Sequence, residues 1–154
     1  MLYLKFCENE NFVRDKLAGL YAITPAAISN TANLVRMVEQ ALLGGARLIQ
    51  YRNKNRNDSN HDHQHRIHTA TQLLNLTRSS NAILIINDDV DLAAAIGADG
   101  VHLGRDDIEL SAARKQLGVN AVIGISCYNE FARAEQAVSQ GADYVAFGRF
   151  FPSS

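Results

Sequence analysis

The chain has 154 residues, 47% hydrophobic and 20% charged, with two Cys and no Trp, enough apolar material for one folded domain with a core and unlike a disordered or disulfide-stapled chain. Fifteen Lys plus Arg against sixteen Asp plus Glu leave a net charge of −1, which gives no overall electrostatic footprint for nucleic acid or an anionic membrane. The longest apolar runs, such as 82–86, fall far short of the about 20 residues that a spanning helix needs.

Acidic residues interrupt the N-terminus where a secretory signal would stay apolar, so a cytoplasmic setting is expected. Cys7 and Cys127 belong to no CxxC pair and offer no zinc or redox spacing.

From residue 20 onward, short β-type runs alternate with stretches at helical spacing, the pattern of βα units around a parallel sheet. The first strand is predicted at 20–24. Leu34, Val35, Val38, Ala41 and Leu42 then form one apolar helix face, which Gly44-Gly45 ends. A strand at 47–52 runs into the Asn- and His-rich stretch 52–68, which reads as a loop entering a helix at 61–78. Strands follow at 82–87, 100–104, 121–126 and 144–148, separated by helices at 90–96, 108–117 and 129–140. Gly45-Ala46-Arg47, Gly97-Ala98-Asp99 and Gly141-Ala142-Asp143 repeat one junction, with Gly closing a helix just before a β-run.

Six strands in series fit either an open doubly wound sheet or a (β/α)8 barrel with units still to come. Polar groups gather at successive strand ends: Gln50 and Arg52, Asn87 and Asp88, Asp106 and Asp107, then Ser126. A barrel places all such ends on one rim. A doubly wound nucleotide-binding sheet often carries a glycine-rich phosphate loop after its first strand, where this chain has Thr24-Pro25-Ala26. The barrel is the expected fold.

Gln50, Arg52 and Lys54 recur at strand period and would share one side, presenting an amide and two cations to an anion such as a diphosphate. The alternative is a solvated strand end. Asn87-Asp88-Asp89 and Asp106-Asp107 bring carboxylates to neighbouring strand ends, where two of them suit Mg²⁺ completed by water and phosphate oxygens. Helix capping by either Asp pair is the competing explanation. Ser126 is read either as a ligand contact or as a cap, with no Asp–His arrangement evident to make it a nucleophile. His61, His63, His65 and His68 splay around their helix axis and form no metal face.

Taken together, Gln50-x-Arg-x-Lys54, Ile86-Asn-Asp-Asp-Val-Asp91, Gly100-Val-His-Leu-Gly104 with Asp107, Gly124-Ile-Ser126 and the run from Gly141 to Ser153 resemble the thiamine-phosphate synthase family. The likeness covers residues 20–154, leaving 1–19 as an N-terminal extension. It implies a (β/α)8 barrel that joins a hydroxymethylpyrimidine diphosphate to a thiazole phosphate and releases diphosphate. The reaction implied is dissociative: diphosphate leaves, a pyrimidine methylene cation forms, and the thiazole nitrogen captures it.

Residue by residue, the resemblance assigns pyrimidine diphosphate binding to Gln50, Arg52, Lys54, Asn87 and Ser126. It assigns Mg²⁺ to Asp88 and Asp107, and a catalytic part to Arg52, Lys54 and Ser126. Arg105 stands where Gln is common and Tyr128 where His is frequent.

The family continues beyond Phe-Pro into two more βα units that hold the thiazole phosphate. Five steps of roughly 25 residues separate the first and sixth predicted strands, so two more would bring the length to about 200, the lower bound for the fold. The expectation is therefore a truncated barrel of about six βα units, with parallel edges open to self-association. The competing functions are a noncatalytic Mg²⁺-diphosphate-binding remnant and a thiazole tautomerase-like protein; Tyr128 stands near the position where the latter depends on His.

Overall fold

A computed structural model describes residues 3–6, 17–26, 30–53 and 60–148. Seven strands form one sheet: β1 (Tyr3–Phe6), β2 (Leu20–Ile23), β3 (Ala46–Tyr51), β4 (Ile83–Asn87), β5 (Gly100–Leu103), β6 (Val122–Tyr128) and β7 (Tyr144–Phe147). Helices α1 (Thr31–Leu43), α2 (Asn60–Ser79), α3 (Val90–Ile96), α4 (Leu110–Leu117) and α5 (Phe131–Ser139) link the strands from β2 to β7. The sheet order is β1-β7-β6-β5-β4-β3-β2. β2 to β7 are therefore parallel and lie beside their sequence neighbours, with no switch point.

Strict alternation gives the sheet two different faces. Ile49, Leu84, Ile86, Val101, Leu103, Ile123, Ile125 and Val145 join Leu34, Val38, Leu73, Leu92, Ala113 and Ala134 in one large core shared with all five helices. The other face carries a smaller cluster of Leu17, Leu48, Ile83, Ile85, Val122 and Tyr144, to which no helix from α1 to α5 contributes a buried residue. Helices α1 to α5 thus all cover the same side. That layering is a half-barrel, whereas a doubly wound sheet carries helices on both faces.

The repeated Gly-Ala junctions perform a repeated task. Gly45, Gly97 and Gly141 all adopt positive φ, at 94°, 65° and 88°, where a side chain would be strained. Asp99 then accepts from Leu84 N at 2.8 Å, and Asp143 accepts from Ile123 N at 2.7 Å, so each Asp pins the start of the neighbouring strand. These contacts lie at the N-terminal ends of the strands and leave the opposite ends for the site.

Two findings depart from the sequence reading. A strand at Tyr3–Phe6, within what reads as an extension, pairs antiparallel with β7, from Tyr3 opposite Phe147 to Phe6 opposite Tyr144. The β7 edge is therefore covered, while β2 is the sheet's other edge and exposes Leu20 and Ile23. In addition, the fourth helix begins at Leu110 instead of 108, with Glu109 in the capping position, so neither Asp106 nor Asp107 caps it.

Candidate active site at the strand ends

The C-terminal ends of β2 to β7 surround one open cavity of about 430 Å³. β2 and β3 supply Tyr21, Ile23, Gln50 and Arg52, and the β4 end supplies Asn87 and Asp88. β5 and its following turn add His102 and the run from Gly104 to Asp107, while β6 and β7 add Ser126, Tyr128, Ala146 and Gly148. Six of the seven residues that the sequence assigns to the site meet here: Gln50, Arg52, Asn87, Asp88, Asp107 and Ser126. Lys54, the seventh, lies outside the described residues, as do Cys7, the His61 side chain and 149–153.

The backbone of Arg52 continues the parallel pairing one step past β3. Thr24 N donates to Gln50 O at 2.9 Å, and Arg52 N donates to the buried Thr24 hydroxyl at 2.9 Å. This holds Arg52 at the mouth of the cavity, and no ion pair joins it to a carboxylate among the described residues. A guanidinium on that rim can form forked bonds to an anion.

The two adjacent acids after β4 separate cleanly. Asp89 caps α3 by accepting from Leu92 N at 3.0 Å, and its second oxygen pairs with Arg66 at 2.5 Å. Asp88 instead occupies the left-handed region at φ 62°, where its backbone N–H donates to His102 O at 2.9 Å, and it lines the cavity. A non-glycine residue held there is uncommon, and such strain concentrates at functional sites.

Asp107 folds back on its own turn, accepting from Gly104 N at 2.6 Å. Capping therefore explains Asp89 and leaves Asp88 and Asp107 on the rim. No group of three or more His, Cys, Asp or Glu converges among the described residues, so no all-protein metal cage is built from them. Two rim carboxylates suit Mg²⁺, which binds through one or two carboxylates and completes its octahedron with water and phosphate oxygens.

Ser126 has a partner that the sequence did not reveal. Its Oγ lies 2.8 Å from His102 Nε2. The helix after β6 has Glu130 in its capping position, so Ser126 is not its cap. The pair is not completed into a Ser–His–Asp triad, because His102 Nδ1 faces the Tyr144 hydroxyl at 3.0 Å instead of a carboxylate. Burial also pushes the His102 pKa down to about 4, opposed by the Asp107 charge, so the imidazole stays neutral.

His102, Tyr21 and Tyr144 are the principal residues missing from the sequence reading. The available signal was positional: His102 interrupts an apolar strand at the register that points inward, as do Gln50 and Ser126.

The two unusual rim residues meet one another. The Arg105 guanidinium lies 4.9 Å from the centroid of the Tyr128 ring and also pairs with Glu130. Tyr128 itself adopts φ 53°. Behind them Arg133 donates to Ser126 O at 2.8 Å and to Gly104 O at 3.0 Å, tying the ends of β5 and β6 together. Two of the α2 histidines are engaged elsewhere: His65 Nε2 lies 3.4 Å from Thr31 Oγ1, and His68 contacts Gln72.

Residues 20–154 match the family model described as thiamine monophosphate synthase. The chain belongs to that family. It is 49% identical over 138 residues to a thiamine-phosphate synthase of Chromobacterium violaceum, covering 90% of this chain and 64% of that protein. A thiamine-phosphate synthase of Methylobacillus flagellatus is 54% identical over 138 residues, covering 90% and 63% respectively. Among solved structures, a thiamine phosphate pyrophosphorylase from Pyrococcus furiosus superposes with a TM-score of 0.77 at 36% identity, covering 91% of this chain and 64% of the other. The chain thus spans just under two thirds of the length of these relatives, and its half-barrel corresponds to part of their fold.

Proposed function

We propose that this chain carries the diphosphate-binding site of a thiamine-phosphate synthase, which couples 4-amino-2-methyl-5-(diphosphooxymethyl)pyrimidine to a thiazole phosphate and releases diphosphate. The observation that carries this reading is the convergence of Gln50, Arg52, Asn87, Asp88, Asp107 and Ser126 on one cavity, from separate strand ends. The half-barrel fits a (β/α)8 barrel domain over 20–154, to whose sheet the preceding residues add the strand Tyr3–Phe6 and the buried Leu17, and a biosynthetic role of this kind fits a cytoplasmic setting. No helix among the described residues is long and apolar enough to cross a membrane.

In this reading Gln50, Asn87 and Ser126 orient the pyrimidine, while Arg52, with Lys54, binds the diphosphate and stabilises charge growing on it as the carbon–oxygen bond breaks. Asp88 and Asp107 would hold Mg²⁺, which supplies Lewis-acid stabilisation of the same leaving group. The thiazole nitrogen then attacks the cationic methylene carbon, so no protein nucleophile is needed. This agrees with a Ser126 whose neighbouring imidazole is too weak a base to activate it. The exposed Leu20 and Ile23 on the β2 edge fit self-association there, which sedimentation velocity would read.

Titration calorimetry with the pyrimidine diphosphate tests the site: binding that requires Mg²⁺ is expected, and absence of binding with Mg²⁺ present overturns the reading. Measuring thiamine phosphate and free diphosphate together separates a synthase from a binding-only protein, which would bind without forming either product.

A further inference from the structure

Inside the sheet, five polar side chains form one unbroken hydrogen-bonded line. Gln50 Nε2 donates to the Tyr21 hydroxyl at 3.0 Å, and that oxygen lies 2.8 Å from the Tyr144 hydroxyl. Tyr144 reaches His102 Nδ1 at 3.0 Å, and His102 Nε2 reaches Ser126 Oγ at 2.8 Å. The rings reinforce the line: His102 stacks on Tyr144 with centroids 5.6 Å apart, and Tyr21 meets Tyr144 edge-on at 5.9 Å. Tyr144 is fully buried, and Gln50 and His102 are 3% and 8% exposed.

Each hydroxyl has one proton to give, and a neutral imidazole has one N–H. Because Tyr21 accepts from Gln50, its own proton needs an acceptor, and the Tyr144 oxygen provides it. Tyr144 then donates to His102 Nδ1, the imidazole proton sits on Nε2, and Ser126 accepts it. The reverse order would make the Tyr21 oxygen accept twice and leave its own proton without an acceptor in the line, an unsatisfied donor that the forward order avoids.

We propose that Gln50, Tyr21, Tyr144, His102 and Ser126 form a one-way hydrogen-bond chain that leaves the Ser126 proton pointing into the cavity, so that Ser126 donates to a hydrogen-bond acceptor on the substrate. Tyr144 and His102 are then positioning residues that act through Ser126. The direction of the chain follows from the ligand-free protein. That the acceptor belongs to the pyrimidine diphosphate rests on the function proposed above.

The imidazole tautomer reads the direction without any ligand. In ¹⁵N-histidine-labelled, metal-free protein at neutral pH, two-bond ¹H–¹⁵N correlations should show His102 protonated on Nε2 and bare on Nδ1, with the signal assigned by its loss in His102→Gln. Protonation on Nδ1 overturns the proposal. Tyr21→Phe and Tyr144→Phe should each convert the single tautomer to a mixture. A pure Nε2–H form retained in both overturns the coupling, and if Tyr144→Phe does not fold, the half-buried Tyr21 carries this test alone.

Calorimetry with Mg²⁺ and the pyrimidine diphosphate reads the second part. Tyr144→Phe should weaken binding about fivefold in the parent and not at all in a Ser126→Ala background, whereas additive losses overturn the action through Ser126. If the parent binds no pyrimidine diphosphate, the proposed function fails while the tautomer still decides the direction of the chain.

Discussion

A Cβ at Gly124 would lie 1.9 Å from Cζ of Tyr144, so this glycine makes the space in which the tyrosine ring stands. The ring in turn carries the central hydroxyl of the buried polar line. Gly124 lies two residues before Ser126 on the same strand and, unlike Ser126, does not line the cavity.

Gly124→Ala should therefore cost about 3 kcal/mol or more, combining overpacking with displaced buried hydrogen bonds. Denaturant unfolding measures it, with the exposed Val119→Ala as a control that should change stability by less than about 0.5 kcal/mol. A Gly124→Ala protein as stable as its parent would contradict the packing described.

Asp88 and Asp89 are adjacent but should respond in opposite ways. Asp89→Ala removes a helix cap and a charge partner of Arg66, so stability should fall by about 1–3 kcal/mol. Asp88→Ala should instead cost little stability, a few tenths of a kcal/mol up to about 1 because Ala tolerates the left-handed backbone less well than Asp, while abolishing Mg²⁺-dependent binding of the pyrimidine diphosphate. Asp107→Ala should lose the same binding. Thermal unfolding and calorimetry on the three variants distinguish these outcomes, and undiminished binding by Asp88→Ala and Asp107→Ala rejects the metal assignment.

The order of strands and helices was legible because the chain alternates two apolar periods, and the rim was legible because polar residues stand where those periods stop. Residue type and spacing could not separate Asp88 from Asp89, since both are good caps and the choice depends on Arg66, a helix away; only the family resemblance singled out Asp88. The polar line was hidden for a similar reason. Tyr21, His102 and Tyr144 each resemble an ordinary strand residue, and only the parallel register brings their side chains together. The antiparallel strand Tyr3–Phe6 was missed because its partner, Tyr144–Phe147, is far along the chain and the short run has no neighbouring turn to mark a hairpin.

Arg52→Ala should weaken the pyrimidine diphosphate by more than about 1.4 kcal/mol, one tenfold step, since a forked charged contact would be lost. Arg78 supplies the comparison: it donates to Gly97 O at 2.9 Å, away from the cavity. Arg78→Ala should leave affinity unchanged. Equal losses in the two variants would point to general surface charge instead of a specific site.

Acid stability should carry the signature of the buried imidazole. His102 titrates at about 4 in the folded chain against an ordinary value of 6.5, chiefly through burial beside Ser126 and Tyr144, with the Asp107 charge opposing. The folded pKa is depressed, so between pH 6.5 and 4 the unfolded chain binds the extra proton and the folded chain does not. Stability contributed by this group therefore falls as pH drops through that window and levels below it, by roughly 3 kcal/mol in all.

Tyr21 acts at the other end. Its pKa is pushed up from 10.0 to about 12, again mainly by burial, so stability should fall as pH rises through that interval because the unfolded phenol ionises first. Denaturant unfolding of metal-free protein at several pH values measures both limbs. His102→Gln should flatten the acid limb, and Tyr21→Phe should make the alkaline limb shallower, with the raised Tyr144 and Tyr51 phenols supplying the rest. An acid limb equally steep in the parent and in His102→Gln would place the responsible proton uptake elsewhere and remove the buried neutral imidazole from the account.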